Sequence, residues 1–228
     1  LLSRDRYTVK DLSFNSTGYD FSPALWDDGL IYSSSRDSSK AISRVSTWTG
    51  TQFFDMWYVK GDKESFGKPE RMKGDAATKY HEGALSLTPD KKEVYFTRNN
   101  FYNGKANTSD DKIIKLKIYK SEVDGKTWKN DKSFAYNNDE YSVGHPALTA
   151  DGNTLYFVSD MPGGYGMTDI YVTKKDSGGG DWGTPKNLGP EINTEGREMF
   201  PYVDSLGVLY FASDAHGGLG GLDIFKTK

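Results

Sequence analysis

The chain contains no cysteine and only three histidines among its 228 residues. The lack of cysteine excludes disulfides, a thiolate nucleophile and a cysteine-ligated zinc site. No apolar run approaches the ~20 residues that a membrane-spanning helix needs, so no membrane span is expected. A formal net charge of -3 provides no basic stripe for a phosphate backbone, which argues against nucleic acid as a partner.

Several catalytic and targeting motifs are also missing. There is no G-x-S-x-G elbow of the α/β-hydrolase type. The glycine-rich segments lead into strands, whereas a P-loop or a dinucleotide fingerprint would open a helix. Neither a signal peptide nor a lipidated cysteine is present. Because the chain opens on Leu1-Leu2-Ser3, we expect an excised or processed domain.

One sequence pattern occurs four times along the chain. Its clearest copy is GHPALTADGNTLYFVSD, and the four copies begin at Asp20, His81, Gly144 and Met199. Successive copies lie 60, 63 and 55 residues apart when they are aligned on Ala24, Ala84, Ala147 and Tyr202. This spacing is close to that of β-propeller blades and too long for helical or leucine-rich repeats.

The inside of each unit predicts a small antiparallel sheet. In the third unit, a short strand at 146–148 meets an Asp-Gly turn, and strands at 155–158 and 169–172 follow. Their β-branched and aromatic content suits a packed, pleated surface. We therefore predict an all-β fold, a single β-propeller domain over 1–228 with four four-stranded blades. The predicted units are approximately 13–75, 76–138, 139–193 and 194–228.

The N-terminal segment 6–12 is predicted to be an outermost strand, because it matches the run that ends the third unit. It either completes the fourth blade, which would leave no free sheet edge, or belongs to a blade missing from this chain. The strand count fits a closed ring of four blades and a larger propeller equally well.

Three runs carry a family resemblance: DEYSVGHPALTADGNTLYFVSDMPGGYGMTDIYV from Asp139, WGTPKNLGPEINTEGREMFP from Trp182 and LYFASDAHGGLGGLDIF from Leu209. They resemble the TolB-like (WD-type) propeller repeat of OmpA-family, peptidoglycan-associated outer-membrane lipoproteins, over nearly the whole chain. Such proteins combine this propeller with helical repeats, a β-sandwich and an OmpA-like domain that holds peptidoglycan. One subgroup, similar to PorE, serves type IX secretion and gliding. The resemblance implies a periplasmic module at the outer membrane. It also implies that the four blades are part of a larger propeller of five or more blades.

Turn chemistry accounts for several conspicuous polar residues. An Asn or Asp recurs eight residues before the aligned Pro or Gly of each unit, which suits a structural turn: Asn15, Asp75, Asn138 and Asn193. The glycine-rich hairpins 160–169 and 214–223 each hold two aspartates. A calcium site is an alternative there, but two carboxylates are too few, so we predict turns and no metal or cofactor.

The innermost strands should line a central channel, whose candidate residues lie two positions before the aligned ones: Ser22, Glu82, His145 and Phe200. Glu82 and His145 come from adjacent blades and could act as an acid–base pair or bind a metal. The alternative is that one polar residue per blade lines a water-filled channel. A propeller glycosidase needs two facing carboxylates, and Glu198, the other candidate, lies in a charged loop run. We therefore predict no enzymatic activity, with a carbohydrate-binding or glycosidase-type propeller as the alternative.

The predicted function is a noncatalytic interaction platform. Two long irregular loops, 35–54 and 99–115, contain aromatic and arginine residues of the kind that interfaces favour: Arg36, Arg44, Trp48, Phe53, Phe101 and Tyr102. The alternative is that these loops pack under their own blades. The expected partners are envelope proteins, with peptidoglycan reached only through domains absent from this chain.

Overall fold

The computed structural model describes residues 10–36, 50–62, 65–75, 77–176 and 180–227, and every regular element within these ranges is a β-strand. No helix of the described residues is long and apolar enough to cross a membrane. In chain order the strands are β1 Asp20–Trp26, β2 Gly29–Ser34, β3 Asp55–Asp62, β4 Ser65–Phe66, β5 Glu70–Arg71, β6 Lys73–Gly74, β7 Glu82–Leu87, β8 Glu93–Asn99, β9 Phe101–Tyr102, β10 Lys105–Ala106, β11 Leu116–Asp124, β12 Thr127–Ser133, β13 Val143–Leu148, β14 Thr154–Ser159, β15 Asp169–Lys174, β16 Lys186–Asn187, β17 Glu198–Val203, β18 Leu209–Ser213 and β19 Asp223–Thr227.

The strands form four blades and one short hairpin, β9–β10. Blade 1 is β1-β2-β3 with β4 and β5 on the outer side, and blade 2 is β7-β8-β11-β12 with β6 added in parallel. Blade 3 is β13-β14-β15-β16 and blade 4 is β17-β18-β19. The inner strands β1, β7, β13 and β17 pack side by side in that order and share one central cavity. The predicted all-β propeller arrangement with four blades is confirmed.

The repeat alignment holds in three blades and slips by two residues in the second. Tyr156 faces Ala147 and Tyr210 faces Tyr202 in their ladders, so both tyrosines occupy the same place in their units. In blade 2 the residue at this place is Ser86, because Ser86 pairs with Tyr95 as Ala147 pairs with Tyr156. Ala84 is therefore not the counterpart of Ala147. The counterpart of Glu82 is the first residue of each other inner strand.

Each inner strand contains a bulge. Blades 1, 3 and 4 interrupt the ladder with an x-Pro pair, and the residue before proline has a left-handed φ near 50°: Ser22 (52), His145 (51) and Phe200 (51). Proline has no N–H to give to a ladder, so it fits a bulge. Blade 2 has the single residue Ala84 between the paired Gly83 and Leu85.

The hydrophobic core lies mainly between blades. We call each contact between neighbouring blades a seam, formed by the forward face of one blade and the rear face of the next. Met56, Ile118 and Ile170 occupy matching third-strand positions on the forward faces of blades 1, 2 and 3. All three are fully buried against the following blade. One blade's sheet therefore completes the core of its neighbour.

The N-terminal strand prediction is only partly covered, since residues 6–9 lie outside the described residues. Lys10–Leu12 are described and form no strand. Leu12 and Phe14 pack on the rear face of blade 1, against Leu30 and Tyr32. In the described residues, β19 pairs with β18 and with no other strand, so blade 4 has three strands where four were predicted.

The four predicted turn residues have different contacts. The side chain of Asn193 bonds both peptide groups of Ile170, accepting from N at 2.8 Å and donating to O at 3.0 Å. Asn137 makes the same two bonds to Ile118, at 3.0 and 2.7 Å. The structural counterpart of Asn193 is thus Asn137. Asn138 accepts from Glu140 N at 2.9 Å, Asp75 accepts from Asp131 N at 3.3 Å, and Asn15 N donates to Leu12 O at 3.0 Å.

Candidate functional site: the central channel

The central cavity has a volume of about 470 Å³ and is lined by all four inner strands. Its wall is mostly apolar, with an aromatic and proline-rich composition: Phe21, Pro23, Ala84, Leu85, Pro146, Ala147, Leu148, Phe200, Pro201, Tyr202 and Val203, together with Ser22, Ser86 and His145. The site is a hydrophobic hollow with few polar groups, as ligand pockets commonly are.

A second cavity of about 280 Å³ adjoins the first, since Phe21, Ala84, His145 and Phe200 line both. Glu82, His81 and Phe54 line this second cavity alone. All four channel candidates therefore lie on a cavity wall: Ser22 on the first, Glu82 on the second, and His145 and Phe200 on both.

His145 is held as a neutral ring. Its imidazole stacks on the Phe200 ring with centroids 4.2 Å apart, and its Nδ1 accepts from Phe200 N at 3.3 Å. The His145 peptide N donates to Thr97 Oγ1 at 2.8 Å, which ties blade 3 to blade 2. Burial lowers the pKa of His145 to about 4. The ring is therefore uncharged at neutral pH, and Nδ1, as an acceptor, carries no proton.

Glu82 is fully buried at the start of β7. Its Oε1 accepts from Thr78 N at 3.1 Å and from Thr78 Oγ1, while Oε2 has no hydrogen-bond partner among the described residues. Burial raises the pKa of Glu82 to about 8, so the carboxyl is largely protonated at neutral pH. Glu82 and His145 line the same cavity, but none of these hydrogen bonds joins the two side chains.

Glu198 occupies the matching place in blade 4, and both of its carboxylate oxygens accept hydrogen bonds. It accepts from Thr194 N at 2.8 Å, Thr194 Oγ1 at 2.7 Å and Ser213 Oγ at 2.7 Å. In blade 1, Asp20 accepts from Ser16 N at 2.6 Å. A Ser or Thr four residues before a carboxylate is thus a repeated turn motif at the entrance of three inner strands. The sequence contains this spacing, but the slipped alignment of blade 2 concealed it.

The predicted interaction loops are partly described. Arg44 and Trp48 lie outside the described residues. Arg36 packs into blade 1, where it donates to Phe14 O at 2.8 Å and to Asp20 Oδ1 at 3.1 Å and lies over the Tyr32 and Trp57 rings. Tyr102 stacks on Tyr119 at 5.5 Å and donates to Asp131 O at 3.2 Å. These two side chains stabilise their own blades.

Phe53 belongs instead to an aromatic rim beside the second cavity, whereas Phe101 lines a separate cavity with Arg98 and Tyr102. The Phe53 and Phe54 rings lie 4.5 and 4.9 Å from the His81 ring, and Phe21 meets Phe54 edge-on at 5.1 Å. Phe101 packs on Tyr80 at 4.6 Å. Tyr19, 58% exposed, extends the rim beyond Phe54.

The glycine-rich hairpins use their aspartates as loop caps. Asp169 accepts from Tyr165 N at 2.6 Å, Gly166 N at 3.2 Å and Asn187 Nδ2 at 2.8 Å. Asp223 accepts from Leu219 N at 2.7 Å and Gly220 N at 3.3 Å. These carboxylates bind backbone donors that the tight glycine turns would otherwise leave unpaired.

No protein-family model and no curated protein sequence matches the chain. Among solved structures, it is similar to a thermostable family-43 glycoside hydrolase, with 11% identity over 91% of this chain and 71% of that one and a TM-score of 0.52. It is also similar to a TolB candidate from Agrobacterium tumefaciens, with 14% identity over 87% of this chain and 61% of that one and a TM-score of 0.47. A prolyl endopeptidase is similar as well, with 14% identity over 93% of this chain and 28% of that one and a TM-score of 0.46. The chain thus spans less than two thirds of the length of the last two.

These similarities correct one sequence-based prediction. We predicted that the chain is not an enzyme, but the structures that share its fold are mostly hydrolases, glycosidases and prolyl peptidases among them. That exclusion was wrong. At 10–14% identity the likeness shows a common fold and assigns no reaction.

Proposed function

We propose that the chain is a recognition propeller that binds a partner polypeptide of the bacterial envelope at the mouth of its central channel. The observation that carries this proposal is the composition of the cavity wall, in which four inner strands present aromatic, proline and aliphatic side chains to one hollow. Tyr202 and Phe200 stand 62% and 40% exposed there. Half-exposed aromatic side chains around a hollow are typical anchors of protein interfaces.

The electrostatics support an uncharged ligand segment. The central cavity has no carboxylate, lysine or arginine side chain among its described lining residues, and its histidine, His145, is neutral because burial lowers its pKa to about 4. Placing a sulfate, phosphate or carboxylate there would remove its hydration without a compensating charge. An apolar peptide side chain has no such cost.

The envelope assignment comes from the repeat's resemblance to propellers of peptidoglycan-associated outer-membrane lipoproteins. On that basis we place the module in the periplasm at the outer membrane and include type IX secretion among its possible settings. Contact with peptidoglycan would then be indirect, through other domains.

The proposal is tested by comparing alanine variants of two exposed tyrosines, one at the cavity mouth and one away from it. Tyr202→Ala removes an aromatic ring from the cavity mouth, whereas Tyr165→Ala removes a ring of similar exposure, 51%, from a glycine-rich hairpin that lines neither cavity. Envelope proteins crosslinked to the wild-type chain are identified, and the dissociation constant of the purified partner is measured with each variant. We expect Tyr202→Ala to weaken binding at least about tenfold, as loss of an interface anchor does. Equal affinity of Tyr202→Ala and wild type would contradict the proposal.

A second candidate function, saccharide binding or hydrolysis, is favoured by Glu82. Its protonated carboxyl faces the second cavity with Oε2 free of hydrogen bonds from the described residues, and a neutral carboxylic acid can donate to a glycosidic oxygen. The Glu198 carboxylate is tied to Thr194 and Ser213, so it does not supply the opposite group. Hydrolysis of aryl glycosides by wild type, abolished in Glu82→Gln, would select this function over peptide recognition.

A further inference from the structure

Blade 2 departs from the repeat at one cross-strand position. In the other three blades the second strand places a serine opposite an aspartate of the third strand: Ser34–Asp55, Ser159–Asp169 and Ser213–Asp223. Blade 2 places Arg98 opposite Lys117 instead, and these side chains are only 3% and 2% exposed. Burying two cations at such a position is costly. Unit 2 also has a longer connection between these strands than units 3 and 4, and insertions in single repeats commonly map to a binding face.

The cavity beside Arg98, which we call the blade 2 cavity, has a volume of about 290 Å³. Its wall includes Asp75, Arg98, Phe101, Tyr102, Asn103 and Asp131. None of its lining residues lines the central or the second cavity. Binding in the blade 2 cavity would therefore not depend on the function proposed for the channel.

The hairpin β9–β10 fixes one wall of the blade 2 cavity. Tyr102 pairs with Lys105 across the two-residue loop Asn103-Gly104, in which both residues have a positive φ, 51° and 80°. An Asn-Gly pair with two left-handed residues is a favoured tight hairpin turn. The half-buried ring of Phe101 and the exposed side chain of Asn103 are thereby held at the cavity wall.

The blade 2 cavity contains both a hydrogen-bond donor and an acceptor for a ligand. Arg98 Nη1 donates to Asp131 Oδ2 at 2.6 Å and to Asp75 O at 3.1 Å, so the guanidinium charge is paired. The Nε–H of Arg98 is buried and has no acceptor among the described residues. A buried donor without a partner is rare in folded proteins and indicates that a further oxygen completes the site. The carboxylate of Asp75 is exposed, and its Oδ2 accepts from Asp131 N at 3.3 Å.

We propose that the blade 2 cavity binds one uncharged pyranose ring of a saccharide. A hydroxyl group both donates and accepts hydrogen bonds, so one sugar hydroxyl accepts from Arg98 and a neighbouring one donates to Asp75. The C–H face of the sugar packs on the Phe101 ring, whose π face is electron-rich.

Two other ligand classes fit the blade 2 cavity less well. An anion would meet the Asp75 carboxylate, since Arg98 is already paired with Asp131. A cation has no lone pair to accept from Arg98 Nε. The volume is just below the range of about 300–1,000 Å³ that drug-sized ligands occupy, so it suits a single ring.

Titration of the ¹⁵N-labelled chain with defined small molecules tests this assignment. The neutral probes are methyl glucoside, methyl galactoside, methyl mannoside and methyl N-acetylglucosaminide. Methyl glucuronide is the matched anion, and N-acetylalanine methylamide is an uncharged peptide control. The amide signals of Asn103 and Gly104 report on the blade 2 cavity, whereas those of His81 and Gly83 report on the second cavity.

We expect at least one neutral glycoside to shift the Asn103 and Gly104 signals saturably, with a dissociation constant of about 10 mM or tighter. Asp75→Ala and Phe101→Ala should each weaken this binding at least about fivefold, because they remove the acceptor and the aromatic face. Asp181→Ala is the matched control, since this exposed aspartate of unit 3 lines none of the three cavities, and it should leave the affinity unchanged. Circular dichroism confirms that each variant is folded.

Three results would overturn the proposal: no neutral glycoside shifts the Asn103 and Gly104 signals, the shifts fall on His81 and Gly83 instead, or methyl glucuronide or the peptide control binds as tightly as the best neutral glycoside. Tyr202 lines the central cavity, so Tyr202→Ala should not change glycoside affinity. Failure of this proposal is therefore distinguishable from failure of the function proposed for the channel.

Discussion

Blades 3 and 4 come from nearly the same sequence pattern and differ mainly in how many neighbours they have. The inner strand of blade 3 is buried along its whole length, whereas that of blade 4 alternates buried and exposed residues. The third strands begin alike, Asp-Ile-Tyr and Asp-Ile-Phe, yet β15 is mostly buried and β19 is not. The difference teaches that a blade of this repeat does not bury its own apolar faces. Its stability depends on the seam with the next blade.

The largest expected effect is a difference between two identical mutations. Ile170→Ala removes a fully buried side chain from the blade 3–4 seam and should lower the free energy of unfolding by about 2–5 kcal/mol. Ile224→Ala, at the same position of blade 4, should change it by no more than about 0.5 kcal/mol because the side chain is 81% exposed. Urea denaturation of both variants provides the measurement. Equal losses would show that blade 4 is covered like blade 3.

An intermediate effect is expected from the side chains that bond a third strand. Asn193 pairs with both peptide groups of Ile170, and Asn137 pairs with those of Ile118. Replacing either by Ala leaves the isoleucine N–H without its partner, whereas the C=O keeps a backbone donor, Leu188 N or Phe134 N. We expect a loss of about 1–3 kcal/mol for each variant. Asn138→Ala is the control, because this neighbouring side chain is exposed and bonds only Glu140 N in the described residues. A larger loss for Asn138→Ala than for Asn137→Ala would restore the original alignment of the repeats.

Particular residues show what the sequence could predict. Tyr156 and Tyr210 were placed correctly because strand alternation is local and repeats with the unit. Glu82 was matched with His145 because the repeats were aligned on Ala84 and Ala147. The ladders show instead that the counterpart of Ala147 is Ser86, two residues beyond Ala84, and such a slip changes every cross-strand equivalence. Ile170 and Ile224 have almost the same local sequence, so their burial, 0% and 81%, depends on a neighbouring blade that lies elsewhere in the chain. Tyr102 was offered as an interface residue, but its contact with Tyr119 is a tertiary one that loop composition does not reveal.

The smallest expected effect is on the pH dependence of wild-type stability between pH 4.5 and 6.5, where two channel residues act in opposite directions. The folded pKa of Glu82, about 8, is raised above its ordinary 4.5, so its contribution is complete below pH 4.5 and is lost as pH rises toward 8. The folded pKa of His145, about 4, is lowered from 6.5, so its contribution is complete above pH 6.5 and is lost as pH falls toward 4. The two slopes partly cancel in the wild type.

Single variants separate these two contributions. From pH 4.5 to 8 the stability of the wild type relative to Glu82→Gln should fall. From pH 4 to 6.5 its stability relative to His145→Gln should rise. Urea midpoints across this range measure both differences. Difference curves of the same sign, or flat curves, would mean that the channel is hydrated and the two groups titrate normally.

Amide hydrogen exchange in β15 and β19 tests most directly the claim that a blade of this repeat depends on its neighbours. The amides of Ile170 and Tyr171 lie in a strand flanked by β14 and β16 and covered by blade 4, whereas Ile224 and Phe225 lie in a strand whose described pairing is with β18 alone. In the chain of residues 1–228, we expect the amides of β19 to exchange at least about tenfold faster than those of β15, since less covered elements open at lower free energy. Equal protection of the two strands would contradict the account.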